Sequence, residues 1–350
     1  MTLLATLGID LPIIQAPMAG VSSPAMAAAV SNAGALGSIG VGATDAAGAR
    51  AMMAAFRERC ARPLNVNVFC HRPADVESPR AAAWLEHLRP HFERFGVPAP
   101  PGLKEPYRSF VTDDAMLAAL LADKPRIVSF HFGLPPAERV QALREAGIVL
   151  LASATSVAEG RALVNAGVHA VVAQGYEAGG HRGVFDPDAD DDCLGTMALT
   201  RLLVRELDVP VIAAGGIMDG AGIAAALRLG AGAAQLGTAF IACPESVADA
   251  GFRAALASDA ANHTVMTRAI SGRPARCLRN RFTVLGANVS PQQIPAYPVA
   301  YDAGKALHAA AKAAHEAGYG AHWAGQGAPL ARSLPAAELV AALAAELREV

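Results

Sequence analysis

Short apolar stretches rich in β-branched residues recur along the chain, at residues 12–16, 36–39, 64–69, 126–130, 149–152, 168–173, 211–214 and 233–236. Between them the apolar positions take on helical spacing, over residues 24–33 and 44–60 and again from Pro136. A continuous apolar run is the mark of a strand buried on both faces, and such strands alternating with helices pair in parallel. Eight units predict an α/β fold of the (β/α)8 TIM-barrel type. An open doubly wound sheet is the alternative that fits the same alternation.

Two stretches break the pattern. Residues 71–121 are too long for a βα connection and carry helical spacing of their own over 79–95 and 113–122. Residues 262–350 follow the eighth unit and carry two more helical segments, over 303–317 and 336–350. Connections of this length are commonly functional. The expected organisation is a barrel of residues 1–70 and 122–261, with a smaller lid or substrate domain over its mouth built from residues 71–121 and 262–350.

Composition narrows the partners. Hydrophobic residues make up 53% of the 350 and charged ones 17%, with a net charge of −2, so a large core is available and no basic stripe for nucleic acid exists. The start, MTLLATLGIDLPIIQAP, has no basic n-region and is broken by Asp10 and Pro12, so it does not read as a secretory signal. No apolar run reaches transmembrane length. Cys60, Cys70, Cys193, Cys243 and Cys277 form no CxxC pair. They predict free thiols in a reducing, cytoplasmic setting rather than disulfides or structural zinc. The oligomeric state is left open between monomer and homodimer.

In a TIM barrel the strand ends meet at one mouth, where ligands bind. After the seventh strand come Ala214, Gly215 and Gly216, with Asp219 placed to cap the next helix; after the eighth come Gln235, Leu236, Gly237 and Thr238. Main-chain N–H groups at such turns bind phosphate without a lysine, although the glycines would equally serve tight turns alone. The sixth strand runs into QGYEAGGHRG, which carries the amide of Gln174, the small residues Gly179 and Gly180, and His181, a side chain suited to proton exchange near neutral pH. Ala16, Pro17 and Met18 follow the first strand and Asn67 lies in the third. Amides for the edges of a flat ring, small residues for its faces and a phosphate cradle beyond them outline a site for flavin mononucleotide (FMN). The run GSIGVG at 37–42 has the wrong order for a dinucleotide fingerprint.

Other candidates divide between chemistry and structure. Tyr297, Tyr301 and Lys305 are spaced by four, so a helix beginning near Tyr297 puts them on one face, with Pro298 restricting where it starts. A solvated helix face would show the same spacing. His131, at the end of the fourth strand, reads as a pocket residue or as a satisfied core histidine. The aspartate-rich run 186–192 lacks the glycine and distal glutamate of a calcium loop and reads as a solvated acidic loop.

PIIQAPMAG, NVNVFCH, VSFHFGLP, QGYEAGGHRG, AAGGI, QLGTAF, PAYPVAYDAGKAL and WAGQG together resemble the motifs of nitronate monooxygenase, formerly called 2-nitropropane dioxygenase, in its bacterial class I branch. The likeness runs through nearly the whole chain. It implies FMN held without a covalent bond, and the expected contacts are Ala16, Pro17, Met18, Asn67, Gln174, Gly179, Gly180, Ala214, Gly215, Gly216, Gln235, Leu236, Gly237 and Thr238. It implies His181 as the catalytic histidine, with His131, Tyr107, Tyr297, Tyr301 and Lys305 shaping a substrate pocket. The implied reaction is oxidation of alkyl nitronates, propionate 3-nitronate in particular, by O2 through a flavin semiquinone, giving an oxo acid or aldehyde plus nitrite or nitrate. Phe252 is expected to stand where similar chains carry a pocket tyrosine. Two other readings use the same parts: an FMN-dependent NADH:quinone or enoyl-thioester reductase, and a flavin-free lyase or isomerase of a phosphorylated substrate.

Overall fold

The computed structural model describes residues 2–350. Helix α1 (Leu3–Leu7) precedes β1 (Ile13–Gln15), and the chain continues through α2 (Pro24–Asn32), β2 (Gly37–Gly40), α3 (Ala46–Arg57), β3 (Leu64–Phe69), α4 (Pro79–Arg94), α5 (Asp114–Asp123), β4 (Ile127–His131), α6 (Ala137–Glu145), β5 (Val149–Ala154), α7 (Val157–Ala166) and β6 (Ala170–Gln174). The second half holds β7 (Gly180–His181), α8 (Thr196–Glu206), β8 (Val211–Ala214), α9 (Gly220–Arg228), β9 (Ala233–Leu236), α10 (Ala250–Leu256), β10 (Thr264–Thr267), β11 (Ala275–Leu278), α11 (Arg281–Leu285), α12 (Val299–Ala313) and α13 (Ala336–Glu349).

Eight strands pair in parallel in the order β1-β9-β8-β6-β5-β4-β3-β2. A parallel bridge between Ile14 and Leu36 joins the two end strands, and Gln15 N donates to the Leu36 carbonyl at 2.9 Å, so the sheet closes into the expected barrel. Only a short seam between β1 and β2 is left with few ladder bonds. Inside, the end where the strands begin is apolar: Ile14, Leu36, Ile127, Leu151, Val172 and Ile212 pack with Leu3 and Leu7 of α1, which plugs that end. Toward the strand ends the inward residues turn polar. Asn65 Nδ2 donates to Ser38 Oγ at 3.1 Å, and Asn67 Nδ2 to Ser129 Oγ at 2.9 Å. Buried polar groups persist because they are paired, and here they mark the end of the barrel that meets a ligand. Ser23, Asp45, Ser156 and Asp219 cap α2, α3, α7 and α9 by accepting from the N–H three residues on.

The lid is smaller than its sequence boundaries suggest. Residues 113–121 and 336–350 fall within the expected lid, yet α5 packs on α3 and α6, while α13 packs on α9 and α2. The reason is geometric: each barrel strand has an apolar outer face that a helix must cover. α5 takes that place after β3, and α13 after β9. Leu339, Val340 and Leu343 of α13 are fully buried in one cluster with Ile13 and Ile223. The true insertions lie between β3 and α5 and between β9 and α13. From them α4 packs against α12, and Trp84, Leu88, Phe92, Phe282 and Leu307 form a separate core. An antiparallel sheet, β10-β11-β7, ties this layer to the loop after β6. No helix among the described residues is long and apolar enough to cross a membrane.

Candidate active site

A cavity of about 640 Å³ lies between the strand ends and the inserted layer. It brings together every candidate named above except Leu236. Ala16, Pro17, Met18, Asn67, Gln174, Gly179, Gly180, Ala214, Gly215, Gly216, Gln235, Gly237 and Thr238 line it from the barrel, with His131 and His181; Tyr107, Tyr297, Tyr301 and Lys305 line it from the insertions. Leu236 is the exception by its side chain. Side chains alternate along a strand, so Gln235 points inward and Leu236 outward, into the core it shares with Ile13 and Met26. It contributes only its carbonyl, which accepts from Ala16 N at 2.8 Å.

The rims after β8 and β9 carry unused donors. The main-chain N–H groups of Gly215, Gly216, Gly237 and Thr238 hydrogen-bond no acceptor among the described residues. Gly215 and Gly216 have φ of 126° and 70°, in the left-handed region that favours glycine. The Thr238 hydroxyl accepts from Gly325 N at 2.9 Å, which leaves its own proton to donate. Four such amides on two adjacent rims of one cavity suit a phosphate-sized anion.

The loop after β6 is drawn tight. Gln174 lines the cavity, but its amide serves the loop: Nε2 donates to the His181 carbonyl at 2.9 Å and Oε1 accepts from Gly183 N at 2.7 Å. A side chain at Gly179 would collide with the backbone of Ala324 and Gly325, so that glycine permits close approach of the C-terminal segment. The acidic run is partly paired rather than merely solvated. Asp191 holds the buried Arg182 through two contacts, at 2.7 and 2.9 Å, and Asp188 meets Arg268 at 2.7 Å.

His181 sits in an aromatic cage. Its ring lies 5.0 Å from Trp323, 5.2 Å from Tyr297, 5.7 Å from Phe132 and 6.0 Å from Tyr301, centre to centre. Nε2 is 2.9 Å from Ser271 Oγ. Burial, followed by the neighbouring His131, Arg273 and His71, pushes its pKa down to about 3, so the imidazole is neutral at ordinary pH. His131 is held at about 4, chiefly by burial. Both its nitrogens are engaged, Nδ1 with Ser153 Oγ at 3.0 Å and Nε2 with the His181 carbonyl at 3.2 Å. Because a carbonyl only accepts, Nε2 carries the proton.

On the inserted layer, α12 begins at Val299, so Tyr297 precedes the helix and only Tyr301 and Lys305 share its face. Tyr297 still reaches the cavity, and its buried hydroxyl has no partner among the described residues. Lys305 Nζ donates to Tyr107 Oη at 3.1 Å, and Trp323 Nε1 to Tyr301 Oη at 3.2 Å. Phe252 lies off the cavity, stacked on His322 at 5.0 Å, so no pocket hydrogen bond is lost there.

The family model for nitronate monooxygenase matches residues 1–346. The chain belongs to the nitronate monooxygenase family. It is 63% identical to a nitronate monooxygenase of Paraburkholderia phytofirmans, over 99% of this chain and 95% of that one. It is 53% identical to a nitronate monooxygenase of Pseudomonas aeruginosa, over 98% and 97%. Among solved structures it resembles nitroalkane oxidase from Streptomyces ansochromogenes, with a TM-score of 0.90 and 43% identity over 99% of this chain and 98% of that one. FabK from Thermotoga maritima shares the fold with a TM-score of 0.74 at 29% identity, over 100% and 96%. Membership makes the protein an enzyme, a flavin-dependent oxidoreductase that acts on nitronates.

Within this family site, four residues escaped the sequence reading. Trp323 stands within WAGQG, and its bond to Tyr301 comes from folding the C-terminal segment back. Phe132, at the centre of the cage, holds a left-handed φ of 71°, which no sequence signal announces for a phenylalanine. Ser271 and Arg273 lie in the second insertion and reach His181 and Phe132 only through tertiary packing.

Proposed function

We propose that the protein uses FMN to oxidise alkyl nitronates with O2, propionate 3-nitronate among them, giving an oxo acid or aldehyde plus nitrite or nitrate. The observation that carries this reading is one cavity holding four free main-chain donors and an uncharged imidazole. The donor set fits a phosphate monoester, with the Thr238 hydroxyl proton as a fifth donor. Ala16 to Met18 and Gly179 to Gly180 would flank the ring, with Asn67 and Gln235 at its edges. FMN, when bound, supplies the redox chemistry that links nitronate to O2.

The chain's own groups do the rest. Neutral His181 accepts the α-proton of a nitroalkane; once protonated it holds the charge of the nitronate. The unpartnered Tyr297 hydroxyl offers a donor to the nitro oxygens. Lys305, at the rim with only Tyr107 as partner, faces a substrate carboxylate. Trp323, Tyr297 and Phe132 pack around the imidazole and leave its access to the cavity side. His131 has no nitrogen free for substrate and shapes the pocket by bracing the His181 backbone. Five cysteines without a disulfide support a reducing, cytoplasmic setting.

Oxygen uptake with propionate 3-nitronate, run with and without NADH, tests the proposal. Uptake that yields nitrite, ignores NADH and accompanies FMN released on denaturation is the expected result. Rapid anaerobic bleaching of the flavin by NADH would favour a reductase, and a colourless protein that takes up no FMN would favour the flavin-free reading.

A further inference from the structure

The hydrogen bonds around Ser271 assign the proton on His181. Ser271 is fully buried, and its Oγ lies 2.9 Å from His181 Nε2 and 3.3 Å from the Arg273 carbonyl. A hydroxyl has one proton to give, and a carbonyl can only accept. The Arg273 carbonyl has no other donor among the described residues. The arrangement that satisfies all three groups runs from Nε2–H to Ser271 Oγ, and from the Ser271 hydroxyl to the Arg273 carbonyl. The reverse arrangement strands that carbonyl and puts the imidazole proton on Nδ1. Nδ1 makes no hydrogen bond among the described residues and is not sealed from the cavity that His181 lines.

The turn that presents Ser271 is locked. Gly272 has φ of 89°, and a side chain there would collide with the Pro295 carbonyl. The Arg273 guanidinium stacks on Phe132 at 4.3 Å and donates to the carbonyls of Val184 and Phe185. The charged and titratable groups felt by His181 are His131, Arg273 and His71, with Tyr297 and Tyr301 packed against its ring. None is a carboxylate. Orientation therefore falls to a neutral hydroxyl.

Resting on the proton role proposed above for His181, we propose that Ser271 is a positioning residue that fixes the imidazole tautomer and leaves Nδ1 as the nitrogen that exchanges protons with substrate. In that exchange the substrate Cα–H bond breaks, its electron pair stays on the substrate as the nitronate, and the proton forms a bond to Nδ1. The Nε2–H bond to Ser271 is unchanged throughout. With no carboxylate behind it, the imidazolium finds its counter-charge in the nitronate itself, which keeps the two paired.

The test uses the flavin-loaded full chain with 15N-labelled histidine. Wild type is expected to show a protonated Nε2 and a bare Nδ1 at His181. Ser271→Ala should populate the other tautomer and lower kcat/KM on neutral nitroethane roughly 10- to 100-fold, less than the roughly 10²- to 10⁴-fold expected when the base itself is removed. The loss on pre-formed ethyl nitronate should be much smaller. Ser271→Thr, which restores the hydroxyl, should recover the wild-type spectrum and most of the rate. A wild-type proton on Nδ1, or Ser271→Ala with spectrum and rate ratio unchanged, overturns the proposal. His181→Asn with full rates on both substrates overturns the catalytic reading, and is recognised because Ser271→Ala then shifts the spectrum without the rates.

Discussion

His131 Nε2 and Gln174 Nε2 both donate to the main-chain carbonyl of His181, at 3.2 and 2.9 Å. Side chains from the ends of β4 and β6 thus converge on one oxygen and fix the backbone that carries the imidazole. His131→Leu removes one of these donors and strands Ser153, at a cost of about 1–3 kcal/mol for a buried unpaired group. The expected result is a lower thermal midpoint together with reduced kcat on nitronate. Wild-type kcat in a folded variant would show that the carbonyl needs only Gln174.

His181→Asn should retain flavin and lose turnover of neutral nitroalkanes by roughly 10²- to 10⁴-fold, the usual contribution of a positioned base. The loss on pre-formed nitronates should be smaller, since no proton has to be removed. Oxygen-uptake rates on both forms of one nitroalkane check this, and equal losses would remove the base role.

Gly237→Val separates cofactor binding from folding. A Cβ at Gly237 meets Ala16 and Met18 at 3.5 Å, an ordinary contact, so the branch point fits and the added methyls are expected to crowd the anion beside the rim. The variant should fold with a near-native melting curve yet purify with less flavin, read as the ratio of flavin to protein absorbance. Gly179→Ala is the contrast, because its clash is with backbone and should lower stability itself. A fully loaded Gly237→Val protein would move the cradle elsewhere.

The barrel was legible because its strands are buried on both faces and read as unbroken apolar runs. The rims were legible because tight turns leave glycines in fixed places. What failed needed information that does not lie along the chain. Leu236 was carried in with its motif, against the alternation that turns it outward. α5 and α13 look in sequence like any other helices of the insertions, and only the need to cover β3 and β9 returns them to the barrel. The strands β7, β10 and β11 are two to four residues long, too short for a period to show. Ser271 and Arg273 are ordinary residues in a turn until packing sets them against His181 and Phe132.

Lys305→Met should discriminate between substrates. Among the described residues the ammonium hydrogen-bonds Tyr107 alone, at 3.1 Å, and lies 4.8 Å from its ring centre. A charged hydrogen bond to a carboxylate is worth about 1.5–3 kcal/mol, which is roughly 10- to 150-fold in affinity. KM for propionate 3-nitronate should rise within that range, while KM for ethyl nitronate, which has no carboxylate, stays near wild type. Parallel changes on both substrates would make Lys305 a brace for Tyr107 rather than a carboxylate anchor.

Burial of neutral histidines ties stability to pH. Burial, as the leading cause, lowers His71, His131 and His322 to about 4 and His181 to about 3, against an ordinary value near 6.5. Between those limits the unfolded chain binds protons that the native state refuses, so stability rises with pH and is lost as pH falls from 6.5 toward 4. Asp249 is held at about 2, where burial is outweighed by hydrogen bonds from Phe252 N and Lys312, so its contribution is lost only at pH values below this window. The urea midpoint of the protein should therefore fall steadily from pH 7 to pH 5. His131→Gln keeps an amide donor for the His181 carbonyl but cannot titrate, so its midpoint should fall less steeply over the same range. A wild-type midpoint that is flat from pH 7 to pH 5 would mean that these imidazoles take up protons without unfolding, and the dry cage around His181 would have to be given up.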